Sequence, residues 1–423
     1  MQTFGKTIRG SLPAIGLGLI SAFGLIAATT VAAPAAVAQQ IKAKKEFVEN
    51  FEAARAALQA QQFQLAIDKT NAAAPFAADN QQKATLEQIR VAAYYSLKNW
   101  PAVITSIEAA FQLGVAPDLQ KNYKAMLAAA YSETGNEAKA LELTTDYINT
   151  YGGTADQYAY LARNKLNAKQ FGEAATLAQK AIEQAQKDGK PVTATYYNIA
   201  LSAYGQGNNL DEYYKLLEKV APILNQEIYW RPLIEGAKRQ PKYKRDEGVL
   251  DIYRTLEQAK VPLKPQEQQD MGEVALNAGM AIEAERVLSP LFSAGTLGGA
   301  GDADADRHKR LFVKVQADAK ADKAGGLAQS EKEAASKPTG AVYISTGESY
   351  LGAGDFAKAA ELIKKGLDKG GLEPGQVDFA KLRLGMAQMK AGQKDEARAT
   401  WAEIKGDNGS AWLARVWTAL SKV

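Results

Sequence analysis

Residues 343–366 read YISTGESYLGAGDFAKAAELIKKG, and this stretch decides the fold. Tyr343, Gly347 and Tyr350 are spaced by four and three, so they share one face of a helix. Gly354 then suits a helix C′ position, where the left-handed conformation closes the last turn. Asp355 follows as a cap for the next helix. Beyond it Phe356, Ala359 and Ile363 recur at three and four, again one apolar face. The reading is two antiparallel helices joined by a tight turn, with a small residue opposite a bulky one.

Working outward, the same skeleton returns along the chain. Downstream, Leu384, Gly385, Gly392, Ala397 and Trp401 form the next copy, with Gly385 equivalent to Gly347. Upstream, Leu127, Ala128, Tyr131, Gly135 and Ala140 make one copy. Tyr158, Leu161, Ala162, Phe171, Ala174 and Ala181 make another, and Tyr197, Leu201, Tyr204 and Gly207 a third. Tyr94, Trp100, Val103 and Ile107 fit, as do Ala57, Phe63, Ala66 and Thr70. The turns at Gly135-Asn136, Gly207-Asn208, Gly354-Asp355 and Gly392-Gln393 are expected to place glycine in the left-handed region. Asn136, Asp355 and Asp395 are expected as caps.

A period near 34 residues, kept in phase over roughly 300, means stacked helix pairs, since alanine-rich helices alone would not hold a register. On these residues the chain resembles the tetratricopeptide repeat family: a small residue and an aromatic three apart, then Gly, an aromatic and alanines. The resemblance implies an all-α fold, a right-handed superhelical solenoid of antiparallel helix pairs, here in two sub-solenoids. It also implies a concave face lined by the first helix of each pair.

The pattern is uneven, and it divides the chain. After a signal peptide over 1–38 we expect an N-terminal solenoid over 39–225 and degenerate helical repeats over 226–300. A polar helical linker over 301–338 follows, then a C-terminal repeat pair with a cap helix over 339–423. The cap, from Ser410, is expected to solvate the end of the stack, with Trp412 and Trp417 packing on the last repeat. The break from Gly295 to Gly301 is expected to act as a hinge.

The N-terminal segment has the features of an export signal. Lys6 and Arg9 precede an apolar run from Leu12 to Ala28, and Ala36-Val37-Ala38 offers the small side chains that a signal peptidase pocket accepts. Cleavage after Ala38 and a periplasmic location are therefore expected, with retention as a membrane anchor the alternative. Lys plus Arg total 51 against 47 for Asp plus Glu, which gives no ground for nucleic-acid binding. The chain has no cysteine, which excludes disulfides and thiolate sites. Its one histidine, His308, lies among Arg307, Lys309 and Arg310, where a solvated ring is expected.

Candidate binding residues come from register along the concave face. Tyr95, Arg163, Asn167 and Asn198 are expected there. Arg163 and Asn167 are four apart on one helical face, and an Arg with two amides can grip a peptide carboxylate or backbone. The set used by the family's carboxylate-gripping members is not reproduced. A second candidate is the basic run holding Lys242, Lys244 and Arg245, interleaved with Tyr243 and preceded by Tyr229 and Trp230; it would suit an anionic glycan or lipid surface. Asp302, Asp304 and Asp306 alternate as in a calcium loop, but Arg307 stands where glycine is needed and Val313 where glutamate is.

No catalytic constellation is visible: G-x-S-x-G and H-E-x-x-H are missing and histidine is too scarce for a serine triad. The expectation is a non-enzymatic scaffold without cofactor or metal, binding a protein or peptide in its groove. Peripheral envelope association through the basic segment is the alternative.

Overall fold

The computed structural model describes residues 34–423. Residues 1–33, which carry most of the expected signal peptide, lie outside the described residues. The described part is helical throughout and contains no strand. No helix among the described residues is long and apolar enough to cross a membrane. Two compact units divide between Gly207 and Asn208, earlier than the expected boundary at 225, because the helix that follows packs with the second unit.

The first unit contains α1 (Pro34–Gln59), α2 (Phe63–Ala73), α3 (Asn80–Ser96) and α4 (Trp100–Leu113). It continues with α5 (Pro117–Glu133), α6 (Glu137–Tyr151), α7 (Ala155–Asn167), α8 (Phe171–Lys187) and α9 (Ala194–Gln206). Helices pack in sequence, α1 on α2, α3 on α4, α5 on α6 and α7 on α8, and each pair stacks on the next. The core between pairs is continuous; Val91, Val103, Ile107, Tyr123, Met126 and Leu127 form one cluster across α3, α4 and α5.

Turn chemistry follows the sequence in most places. Gly135, Gly354 and Gly392 have φ of 80°, 87° and 87°. At Gly207-Asn208 the asparagine takes the left-handed position instead, with φ 56°. Asn136 and Asp355 accept the backbone N–H of Lys139 and Lys358 at 3.2 and 3.1 Å. Asp395 does not cap: Gln393 holds that position, and Asp395, in the first turn of its helix, pairs with Arg398 at 2.8 Å.

The second unit contains α10 (Leu210–Leu224), α11 (Glu227–Glu235), α12 (Arg245–Gln258), α13 (Pro265–Asn277) and α14 (Ala281–Ser293). Then come α15 (Ala305–Ala321), α16 (Leu327–Ser336), α17 (Ala341–Ala353) and α18 (Phe356–Lys369). Last are α19 (Pro374–Lys390), α20 (Lys394–Ala402) and α21 (Ser410–Leu420). Three of its pairs, α13–α14, α17–α18 and α19–α20, share one packing register. A Cβ added at Gly272, Gly347 or Gly385 would meet Leu288, Ile363 or Trp401, in each case the residue sixteen positions on, at 2.4, 2.8 and 2.1 Å. Glycine is thus what lets the first helix of each of these three pairs lie against the second, and the common offset shows that they are copies of one unit.

Two expectations change here. Residues 301–338, read as a polar helical linker, carry packed helices: α15 stacks Phe312 on Phe292 of α14 at 4.1 Å, and Val315, Ala319 and Ala334 are fully buried. The glycine-rich break, expected as a hinge, is tied by hydrogen bonds to its surroundings. Gly298 N–H donates to Asp302 at 2.7 Å, and Thr296 and Leu297 N–H both donate to the Leu291 carbonyl. Apolar residues spaced along an otherwise charged segment supply the burial.

The cap helix is also more than a cap. α21 does pack on the last repeat, with Trp417 and Trp401 rings 5.8 Å apart. It then reaches back to the start of the unit. Trp417 Nε1–H donates to Thr255 Oγ1 at 2.8 Å, Trp412 Nε1–H donates to the Leu233 carbonyl at 2.7 Å, and Arg415 pairs with Glu218 at 3.0 Å. Trp417 is fully buried, an apolar burial of about 3 kcal/mol. Between the repeats and this returning helix, α12 is enclosed, with every residue from Gly248 to Leu256 buried. A helix buried all round is a core helix. The second unit fills its own interior.

Candidate functional site

A cleft of about 830 Å³ lies in the first unit, formed chiefly by the successive first helices α5, α7 and α9. Its floor is small: Ala125, Ala128, Ala129 and Ala159 leave room for a ligand main chain to come close. Along α7, Asp156, Tyr160, Arg163 and Asn167 recur at four and three, so one helical stripe faces the cleft. Ser132, Glu133 and Glu137 come from the end of α5 and the start of α6, while Thr193, Thr195 and Tyr196 come from the start of α9.

Two tyrosines fix the acidic groups. Tyr160 donates to Glu137 Oε2 at 2.8 Å, and Tyr196, itself buried, donates to Asp156 Oδ1 at 2.6 Å. The second bond links neighbouring repeats across α7 and α9. Burial, with the Glu137 hydrogen bond behind it, pushes the Tyr160 hydroxyl up to about 12. Both hydroxyls are therefore neutral donors at physiological pH. One pair back, Tyr131 makes the same kind of bond to Glu108 at 2.6 Å.

Of the expected groove residues, the structure brings Arg163 and Asn167 into this cleft. Neither has a hydrogen-bond or ion-pair partner among the described residues, so both leave their donors open. Asn164, which the sequence reading passed over, lies between them in the lining and donates to the Tyr160 carbonyl at 3.0 Å. Asn198 lies on α9 outside the lining. Tyr95 is on α3, one repeat away, with its ring edge-on to Trp100 at 5.4 Å. Burial and then the charge of Glu133, a cleft residue, raise its hydroxyl pKa.

The basic run is placed differently from the cleft. Lys242 pairs with Asp407 at 3.2 Å, Lys244 with Glu247 at 2.7 Å, and Arg245 with Asp270. All three side chains are exposed, and an anionic ligand would have to displace these carboxylates. The flanking aromatics take no part in the surface: Tyr229 and Trp230 are 2% and 0% exposed, core residues of α11.

A second concentration of charge lies inside the second unit. Arg254 donates to Glu283 through Nε at 3.0 Å and to Asp251 through Nη1 at 3.3 Å. Arg383 reaches Asp251 at 2.9 Å, Glu348 at 2.6 Å and the Glu247 carbonyl at 2.8 Å. Burial works to raise the Glu283 carboxyl, yet the Arg254 guanidinium overrides it and holds the pKa below its ordinary value. These groups from α12, α14, α17 and α19 satisfy one another, which makes the cluster a clamp on the enclosed helix.

His308 is not solvated as expected. It is 5% exposed, Nδ1–H donating to Asp302 Oδ2 at 2.7 Å and Nε2 accepting from the Gln269 amide at 3.1 Å. The His308 hydrogen bond, together with the Gly298 N–H, holds the Asp302 carboxyl down to about 2. The acidic alternation is thus a loop staple. Among the described residues no group of three or more His, Asp or Glu could hold a metal ion.

No family model matches the chain, and no curated protein matches it. Among solved structures it is similar to a chain of the Naa15/Naa10 complex bound to HypK-THB, at 13% identity and a TM-score of 0.36, over 89% of this chain and 63% of that one. It is similar to a chain of the APC/C hetero-tetramer Cut9–Hcn1, at 12% identity and a TM-score of 0.24, over 78% and 66%. It is also similar to the pentatricopeptide repeat protein PPR10 from maize, at 13% identity and a TM-score of 0.23, over 84% and 58%. The chain thus spans less than two thirds of the length of each. What the stacked pairs and their common packing offset show is a helical-repeat protein built from antiparallel helix pairs.

Proposed function

We propose that this protein is an exported scaffold, periplasmic once its signal segment is removed after Ala38, that binds a segment of a partner protein in the α5–α7–α9 cleft. One observation carries the reading: Arg163 and Asn167 stand unpaired on one stripe of a small-floored cleft, while the second unit fills its own interior with α12. Stacked repeats present such concave surfaces for ligands, and an open guanidinium beside an open amide suits backbone carbonyls. The role is one of holding, not of chemistry.

The test is cross-linking capture from native envelope extract, with the wild-type chain and the Arg163→Ala/Asn167→Ala variant as parallel baits. A recurrent partner captured by the first and lost with the second, at unchanged helical content, supports the groove. Equal capture by both removes the cleft from consideration. Edman sequencing of the exported protein reads the processing directly; a start other than Gln39 overturns that part of the proposal.

A further inference from the structure

The cleft has donors and acceptors in unequal supply, and we infer from this the chemistry of its occupant: an extended peptide segment carrying a Lys or Arg side chain. The inference rests on the groove reading above and adds the sign of the partner's charge. Among the lining residues Glu133, Glu137 and Asp156 are carboxylates, and Arg163 is the one cation. A peptide bearing a carboxylate at its centre meets three like charges for one favourable contact. A basic side chain meets the reverse, and charge complementarity of this kind sets which partner is accepted.

The geometry of the acidic groups strengthens the argument. Glu137 and Asp156 each have one oxygen held by a neutral tyrosine hydroxyl, at 2.8 and 2.6 Å. The other oxygen of each has no partner among the described residues. A carboxylate fixed in this way has less side-chain freedom to lose when it meets a cation. Glu133 has no hydrogen-bond or ion-pair partner among the described residues. Arg163 and Asn167, also unpaired, then serve the main chain of the segment, donating to its carbonyls while the alanine floor admits its backbone. The open carboxylates thus suit the basic side chain, and the open donors of Arg163 and Asn167 suit the peptide backbone.

The probe is three sets of capped nine-residue peptides with randomised flanks and Arg, Gln or Glu fixed at the centre, titrated by fluorescence anisotropy at low ionic strength. The Arg set is expected to bind about tenfold more tightly than the Glu set, the gap closing as salt rises. Glu133→Gln/Glu137→Gln/Asp156→Asn keeps the shape and the acceptors for both tyrosines, and should abolish the preference for the Arg set. Arg163→Ala/Asn167→Ala should weaken all three sets. If that double variant abolishes binding but the Glu set is preferred, or no set is, the charge inference falls and the groove stands. If it binds every set as the wild type does, or no set binds the wild type, groove and inference fall together.

Discussion

Replacing Arg383 by Met is expected to destabilise the second unit by about 3–5 kcal/mol, the cost of leaving buried carboxylates without their cation. The structure says where that cost arises. Arg383 supplies hydrogen bonds to Asp251, Glu348 and the Glu247 carbonyl. Glu348, 7% exposed, has no other hydrogen-bond partner among the described residues. Asp251, fully buried, would keep only its 3.3 Å bond from Arg254. Methionine fills most of the arginine stem, so lost packing contributes little. Trp230, Trp401, Trp412 and Trp417 all lie in the second unit, so tryptophan fluorescence during urea unfolding reports chiefly on it. With a urea slope of about 2 kcal/mol/M, the midpoint should fall by roughly 1.5–2.5 M. The companion variant Arg383→Met/Glu348→Met removes a charge of each sign and should recover at least about 2 kcal/mol of the loss, because a well-packed apolar pair replaces a buried ion pair at little net cost. A single-variant loss below about 1 kcal/mol, or a double variant no more stable than the single, would refute the assignment of the cluster as a clamp.

Two further outcomes follow from other parts of the chain. Asp302 has its folded-state pKa depressed to about 2 from an ordinary 3.8, so the folded state binds its proton later than the unfolded one; its stabilising contribution is complete above the ordinary value and disappears as pH falls toward 2. The thermal midpoint of Asp302→Asn should therefore lie below wild type at pH 6 and converge with it near pH 2, and a gap independent of pH would contradict this. Lys169 closes a turn at φ 59°, a conformation costly for any residue with a Cβ. Lys169→Gly should raise stability by about 0.5–1 kcal/mol in chemical denaturation, and a net loss would show that the turn is not strained.

What the sequence made legible was whatever repeats. Helix pairing, glycine at the crossings and the caps at Asn136 and Asp355 are local, and each leaves a pattern within one period. Arg163 and Asn167 could be placed on the cleft because helical spacing fixes their face. The acidic character of that cleft escaped notice because Glu137 and Asp156 are ordinary near helix N-termini, and only the tyrosines from neighbouring helices mark them out. His308 reads as one more polar residue among charges; its burial depends on Gln269, in a helix two elements away. The return of α21 to α10 and α12 has no periodic signal at all. The nearest clue was two tryptophans in a short terminal helix, one more than its contact with the last repeat requires.

The enclosed position of α12 has a consequence for the order in which the chain becomes structured. In the first unit nearly every packing contact joins helices adjacent in sequence, so that unit can acquire structure pair by pair as it is synthesised. The second cannot. The contacts that surround α12 and its neighbour span 132 residues at Asp251–Arg383, 162 at Thr255–Trp417 and 179 at Leu233–Trp412. Until the last helix has emerged, α12 can pack on its sequence neighbours, but Thr255 still lacks Trp417. Proteins rich in such distant contacts cross their folding barrier more slowly, because long loops must close before the contacts reward them. The two halves of one repeat chain are therefore expected to differ in tempo, a fast, local first half and a second half whose completion waits on its final fourteen residues, 410–423.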